Sequence, residues 1–182
     1  MEIQVDSREK AHAITKILET FDKEGVNWFV SKLPFGDYIS LDNARLAIDR
    51  KQNLSELTNN VIQDHKRFIK ELESAKEHGI KLIILVEHGG SIKSLADVIW
   101  WKNPRGEQRV KGSDGKWHTE KVEYIREVKP KGKRSYTVKL HPTTGLELYK
   151  KLVTMQEKYD VEFQFCDKRQ TGKRIIEILK GE

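Results

Sequence analysis

Only one cysteine, Cys166, occurs in the 182 residues. No disulfide can form within the chain, and the composition fits a reducing compartment. Between Phe165 and Asp167, Cys166 reads as a small residue at a strand end rather than a nucleophile. There is no Cys and His cluster at zinc spacing, no His-Glu-x-x-His pair and no glycine-rich dinucleotide loop. Thr171-Gly172-Lys173-Arg174 is not a phosphate loop, because the glycine required five residues before Gly-Lys is Asp167. Long apolar runs are also missing. The longest aliphatic stretch, Leu82 to Val86, is far too short for a bilayer. No signal peptide is visible, since Ile3-Gln4-Val5 already reads as a strand. No repeat, low-complexity tract or flexible linker interrupts the chain. The expectation is therefore one soluble domain over residues 1–182, carrying an insertion at about 102–141.

Charge, by contrast, is plentiful at 34% of residues, with a net +6. It is unevenly placed. Residues 102–141 hold twelve Lys or Arg against five acids, an excess of seven, so the remainder is close to neutral. A basic segment on a neutral body points to a polyanion partner. Trp100, Trp101, Trp117, Tyr124 and Tyr136 interleave with its basic residues, as strand-tracking elements do. An edge hairpin whose lysines only prevent aggregation is the plainer alternative; DNA contact is favoured over it. Trp117 to Lys129 and Ser135 to His141 alternate, and Pro130-Lys131-Gly132-Lys133 suits a turn, so one basic β-hairpin is predicted. Lys129, Lys131, Lys133 and Arg134 are its candidate phosphate contacts.

The rest of the chain reads as alternating strands and helices. Glu2–Val5 is a strand, and Ile14, Ile17, Leu18 and Phe21 lie at helical spacing. Val26–Leu33 is a strand with Trp28 in the core. Leu54 to Ala75 is a long amphipathic helix or a broken pair; Arg67 on its polar side is either solvated or a phosphate contact. Ile80–Val86 is a strand covered on both faces. Ser91–Trp101, Thr144–Tyr159 and Thr171–Lys180 read as helices, and Val161–Phe165 as a strand. Glu87 is a neighbour of the site or a surface acid. The order implies a three-layer α/β domain whose mixed sheet is antiparallel through a hairpin and parallel after it.

Leu33 to Leu57 carries the chemistry. Tyr38–Leu41 alternates, Asp42-Asn43 is a turn pair, and Arg45–Arg50 runs extended again. Asp37 and Asp49 then share one end of a hairpin. Asp49 and Lys51, two apart, share a face. Two carboxylates can hold Mg²⁺ through oxygen, and a lysine beside them favours hydroxide or stabilises charge on a phosphate. This pattern suits a divalent-metal phosphodiesterase. Asp6, at the end of the first strand, reads on its own as a helix N-cap. Arg8 can pair with an acid of the site or with a phosphate.

Val5-Asp6-Ser7-Arg8-Glu9, Gly36-Asp37-Tyr38 and Ile48-Asp49-Arg50-Lys51 together resemble the nuclease domain of the XPF, Mus and Hef structure-specific DNA endonucleases. That family carries V-D-x-R-E, G-D-Y and E-R-K-x-x-x-D in this order. The resemblance covers about residues 2–90 and resumes near Phe165-Cys166-Asp167-Lys168, where it is similar to small phage-type members. It implies a restriction-endonuclease-like fold and a Mg²⁺- or Mn²⁺-dependent endonuclease acting on branched, flap or duplex DNA, leaving a 5′ phosphate. Asp37 and Asp49 become metal ligands with the Arg50 carbonyl. Asp6 becomes a further metal-site acid, direct or through water. Lys51 positions or activates water, and Arg8 and Arg50 hold the site or the phosphate. A homodimer and a cytoplasmic or nucleoid-associated location follow as expectations, as do roles in DNA repair or recombination.

Two positions depart from the pattern. Asp49 replaces the family's glutamate and keeps a carboxylate. Ser55 replaces the last aspartate, with Glu56 beside it, about 100° further round a helix. These departures keep a catalytically inactive, DNA-binding nuclease fold as the competing reading. An RNA-directed nuclease is a third, because phosphate contacts do not tell DNA from RNA.

Overall fold

The computed structural model of the chain describes residues 1–129, 131–132 and 134–181. Its first half runs β1 (Glu2–Asp6), α1 (Ala11–Lys23), β2 (Asn27–Ser31), β3 (Tyr38–Ser40), β4 (Asn43–Lys51), α2 (Leu54–Ile62), α3 (His65–Glu77) and β5 (Lys81–Glu87). A short 3₁₀ turn (Ala96–Trp100) leads to β6 (Glu107–Lys111), β7 (Trp117–Lys121), β8 (Tyr124–Val128) and β9 (Tyr136–Leu140). The chain closes with α4 (Gly145–Tyr159), β10 (Glu162–Cys166) and α5 (Thr171–Lys180).

Six strands form one mixed sheet in the order β10-β5-β4-β3-β1-β2. β3 is antiparallel to both β1 and β4, while β1–β2, β4–β5 and β5–β10 are parallel. This is the mixed sheet the sequence predicts. Alternation sorts the side chains into two cores. Ala47, Leu82, Ile84 and Val86 pack with Leu57, Phe68, Leu72, Leu148 and Leu152 of α2, α3 and α4. Ile48, Ile83 and Leu85 pack on the other side with Ile14, Ile17, Phe21, Ile175 and Leu179 of α1 and α5. The result is three layers, helices on both faces of the sheet. Ile84, Leu85 and Val86 are fully buried, which is why that strand reads as an unbroken apolar run rather than an alternating one.

Local chemistry sets the boundaries. Asn53 caps α2 by accepting from the Glu56 N–H at 2.8 Å. The long amphipathic stretch is a broken pair, split at Gln63-Asp64. Thr144 and Glu147 form a reciprocal capping box that starts α4.

Two expectations are corrected. Ser91–Trp101 is mostly turn, with helical geometry limited to the 3₁₀ segment Ala96–Trp100. Asp97 accepts from Lys93 N, Ser94 N and Ser94 Oγ, which holds the turn tight in place of a regular helix. The insertion is two antiparallel hairpins, β6–β7 and β8–β9, and not one. The stretch Trp117–Lys129 breaks at Val122-Glu123, where the Val122 N–H turns back to the Gly106 carbonyl at 3.0 Å. Of the predicted phosphate-binding residues, Lys133 lies outside the described residues.

The link between β2 and β3 is sterically demanding. Gly36 has φ 62°, and a Cβ there would sit 2.7 Å from the Ile48 carbonyl oxygen. Only glycine satisfies both the left-handed backbone and the close approach. Gly36→Ala is expected to lower stability by about 2 kcal/mol or more, read as a fall in the urea midpoint with unchanged slope. An unchanged midpoint would contradict the packing described.

Candidate active site

Asp37 is fastened to β4 twice. Its N–H donates to the Ile48 carbonyl at 2.7 Å, and its Oδ2 accepts from the Arg50 N–H at 2.8 Å. Its own carbonyl accepts from the Asp6 N–H at 2.8 Å, tying it to β1 as well. Two neighbouring strands, β1 and β4, thus fix the Asp37 backbone. One residue of an extended strand points its N–H and C=O to the same edge, so the Arg50 carbonyl also faces Asp37. Asp49 and Lys51 lie on the same face of β4, toward α2 and α3. Lys51 Nζ is 2.8 Å from Asp49 Oδ1 and 2.6 Å from Oδ2. Asp49 Oδ2 is buried and accepts no well-aligned hydrogen bond among the described residues. The stem of Lys51 runs by Phe68, whose ring centroid is 5.9 Å from Nζ.

The electrostatics are those of crowded acids. Burial, then Asp49, then Glu9 push the Asp37 carboxyl well above the ordinary carboxylate range. Burial would lower the Lys51 amine, but Asp49 more than reverses this and raises it. Lys51 is therefore a cation at neutral pH. Glu71 on α3 belongs to the same cluster, its carboxyl raised by burial and then by Asp49. Single-residue reading missed it. The available signal was spacing: Glu71 stands three residues after buried Phe68, on the edge of α3 that meets the sheet. Arg67, mostly exposed and 3.6 Å from Asp64, is close enough to Glu71 to lower that carboxyl.

The other face of β4 is organised by Arg50. The Arg50 side chain is 1% exposed. Its Nε and Nη2 bind Glu9 Oε2 at 3.0 and 2.7 Å, and its Nη1 binds Glu87 Oε1 at 3.0 Å. Tyr38 Oη donates to the same Glu9 oxygen at 3.3 Å. Period-two alternation turns Arg50 away from Asp49 and Lys51, and its guanidinium clamps the Glu9 and Glu87 carboxylates. Glu87 is accordingly a buried partner of Arg50 rather than a surface acid.

Asp6 stands at the end of β1. Its carboxylate accepts from Arg8 Nε, Nη2 and N, and from the Leu33 N–H at 3.1 Å. Burial alone would raise its pKa, yet these donors hold it below the usual value. Through them Asp6 anchors the loop before β3. Arg8 uses one edge of its guanidinium on Asp6 and leaves the side chain 63% exposed. Glu56 stands beside Ser55, the position of the missing aspartate. Its Oε2 accepts the Gln52 N–H at 2.8 Å, and its charge helps to raise Lys51. Lys129 pairs with Glu127 at 3.2 Å, and Lys129, Lys131 and Arg134 are exposed on the β8–β9 hairpin.

Comparison with known proteins places this arrangement. The model of the ERCC4 domain family matches residues 5–179, almost the whole chain. The chain belongs to the ERCC4 domain family. Its fold is that of an XPF-type nuclease domain. It is similar to the structure of XPF from Aeropyrum pernix, with 18% identity and a TM-score of 0.59, over 99% of this chain and 64% of that one. A second structure, XPF from Aeropyrum pernix in complex with DNA, gives 18% identity and a TM-score of 0.56, over 98% and 63%. The chain therefore spans just under two thirds of those proteins. No curated protein matches its sequence.

Does this ERCC4 site suit a divalent cation? Among the described residues no three His, Cys, Asp or Glu side chains come together as a ready-made ligand set. A magnesium site needs fewer, because Mg²⁺ keeps several waters and takes one or two carboxylates. The raised Asp37 carboxyl, crowded by Asp49 and Glu9, is what a cation would relieve. The donors fit.

That crowding has a sign. Folded Asp37 holds its proton more tightly than the unfolded chain does. Its contribution to stability therefore falls as pH rises from the ordinary carboxylate range through the raised value. Asp37→Asn keeps an oxygen for the Arg50 N–H and removes the repulsion. The expected outcome is a melting temperature about 2–4 °C higher in EDTA at neutral pH, with loss of Mn²⁺ binding by calorimetry. A variant melting lower than the parent in EDTA would refute the repulsion.

Proposed function

We propose that this ERCC4 domain is a divalent-metal-dependent DNA endonuclease that hydrolyses phosphodiester bonds at branched or flap DNA. The observation that carries the reading is the convergence of Asp37 and Asp49 with the protonated Lys51 at one end of the β3–β4 hairpin. Family membership and the likeness to an XPF solved with DNA support it. Asp37, Asp49 and the Arg50 carbonyl hold Mg²⁺ or Mn²⁺. Bound there, the ion supplies Lewis acidity and lowers the cost of forming hydroxide from water. Lys51 stabilises the negative charge that builds on the phosphate. Arg8, with its guanidinium half free, and Arg67 on α3 contact the DNA backbone near the cut. Arg50, Glu9 and Glu87 keep β4 in register, so that the Arg50 N–H stays on Asp37. The insertion at 102–141, through Lys129, Lys131, Lys133 and Arg134, adds phosphate contacts.

The competing reading is a nuclease fold kept only for DNA binding. It rests on Asp49 and Ser55 and on the absence of a third ligating carboxylate among the described residues. It has no use for a metal. Labelled duplex, single-strand, flap and four-way-junction DNA with Mg²⁺, Mn²⁺ or EDTA separates the two. Metal-dependent cutting is expected, reduced on the order of 100-fold or more in Lys51→Ala and Asp37→Asn. Tight binding with no cutting in either metal would favour the inactive scaffold.

The insertion has its own test. Converting Lys129, Lys131 and Arg134 to Gln is expected to weaken duplex binding. The slope of log affinity against log salt should flatten by about 0.9 for each phosphate that is no longer neutralised. Unchanged affinity and slope would remove the insertion from the DNA interface.

A further inference from the structure

The two hairpins of the insertion are not equivalent. In β6–β7, Trp117 is the aromatic residue, and it already has a guanidinium over its ring, with Arg109 5.6 Å from the centroid. In β8–β9 the pairing is Tyr124 with Leu140, Arg126 with Val138, and Val128 with Tyr136. Residues directly opposite in an antiparallel pair share a face, so these six form one face. Tyr124 is 49% exposed and Tyr136 54%, at opposite ends of it, while Arg126 is exposed at its centre. Four residues separate Tyr124 from Val128, the partner of Tyr136. The two rings are thus about 13 Å apart along the strand direction.

Charge separates the two faces of this hairpin further. On the reverse face Glu127 pairs with Lys129 at 3.2 Å, and Lys139 pairs with Glu123 at 3.4 Å. Arg126 makes no ion pair among the described residues. The tyrosine face is thus aromatic, cationic and uncompensated, in a segment with seven excess positive charges. Such a face needs an occupant that is anionic and offers flat apolar surfaces. A second copy of this chain would bring two positive segments together. A blunt duplex is anionic but hides its base faces in the stack. An unpaired strand offers both phosphates and exposed base faces.

We propose that the Tyr124–Arg126–Tyr136 face of the β8–β9 hairpin is a binding platform for single-stranded DNA. Bases stack on the two tyrosines, and Arg126 meets the backbone between them. This deepens the endonuclease reading by naming the unpaired arm as the part of a branched substrate that the insertion recognises. It rests on that reading only for its biological meaning, since binding can be measured without cleavage.

The test is fluorescence anisotropy in EDTA with oligo-dT, a blunt duplex, and the same duplex carrying a single-stranded tail. The paired substitution Tyr124→Leu and Tyr136→Leu keeps apolar area and removes both rings. It is expected to weaken oligo-dT and tailed-duplex binding by about tenfold or more. Blunt-duplex affinity and the salt slope should stay as in the parent. Tyr124→Phe with Tyr136→Phe should restore single-strand binding, which separates stacking from loss of folding. Arg126→Gln should flatten the single-strand salt slope by about 0.7. The proposal is overturned by equal losses on blunt and single-stranded DNA, or by no loss at all. It is also overturned if the leucine pair dissolves a dimer in sedimentation while leaving DNA binding intact. A protein that binds tails through these tyrosines but never cuts in any metal keeps this proposal and sinks the nuclease reading instead.

Discussion

The two hydrogen bonds that fasten Asp37 to β4 are the constraint on which this molecule turns. One runs from the Asp37 N–H to the Ile48 carbonyl, and the other from the Arg50 N–H to the Asp37 carboxylate. Both need β3 and β4 in one register. That register needs Gly36, whose backbone passes so close to Ile48 that a side chain would collide. It also sets which residues of β4 face which core. With Asp37 fixed, Asp49 and Lys51 must point at it from the α2–α3 side, and Arg50 must point away. A one-residue slip would exchange the two sets and bring a guanidinium to the site in place of an acid.

The separation of charge across β4 follows from the same register. On one face, Asp49 is in direct contact with Lys51, and its charge helps to raise the carboxyls of Asp37 and of Glu71. On the other, Arg50 binds Glu9 and one oxygen of Glu87, Tyr38 also donates to Glu9, and Glu87 Oε2 is left without a hydrogen-bond partner among the described residues. On each face one buried cation, Lys51 or Arg50, is set against more than one carboxylate. A buried network of charge-assisted hydrogen bonds holds geometry. Both clusters sit on one nine-residue strand.

Most of the sheet could be read from the sequence because its signals are local. Asp42-Asn43 marks the turn between β3 and β4, Gly79 ends α3, and the run to Val86 has the length and composition of a covered strand. The site acids Asp37 and Asp49 and the site lysine Lys51 were legible for the same reason. What was less legible depends on partners that the fold brings together. The motif allows Arg8 to pair with an acid of the site, but does not reveal that the Leu33 N–H also reaches Asp6. Arg50 was expected to hold the site or the phosphate, and its partners Glu9 and Glu87 lie 41 and 37 residues away. Glu71 lies twenty residues from Lys51 and enters the site only through the packing of α3 on the sheet. The second hairpin was hidden because Val122-Glu123 contains none of the residues that mark a turn.

The roots of the insertion lie side by side. Asn103 Nδ2 donates to the Thr143 carbonyl at 2.9 Å, so the chain leaves the body and re-enters it at nearly the same point. None of the six strands of the central sheet lies between those two residues. In architectural terms the 39 residues between them are a cassette: a short turn could close the gap, and a different segment could be spliced in. The β3–β4 hairpin and the insertion are therefore structurally separable, free to change at different rates and open to being exchanged by hand.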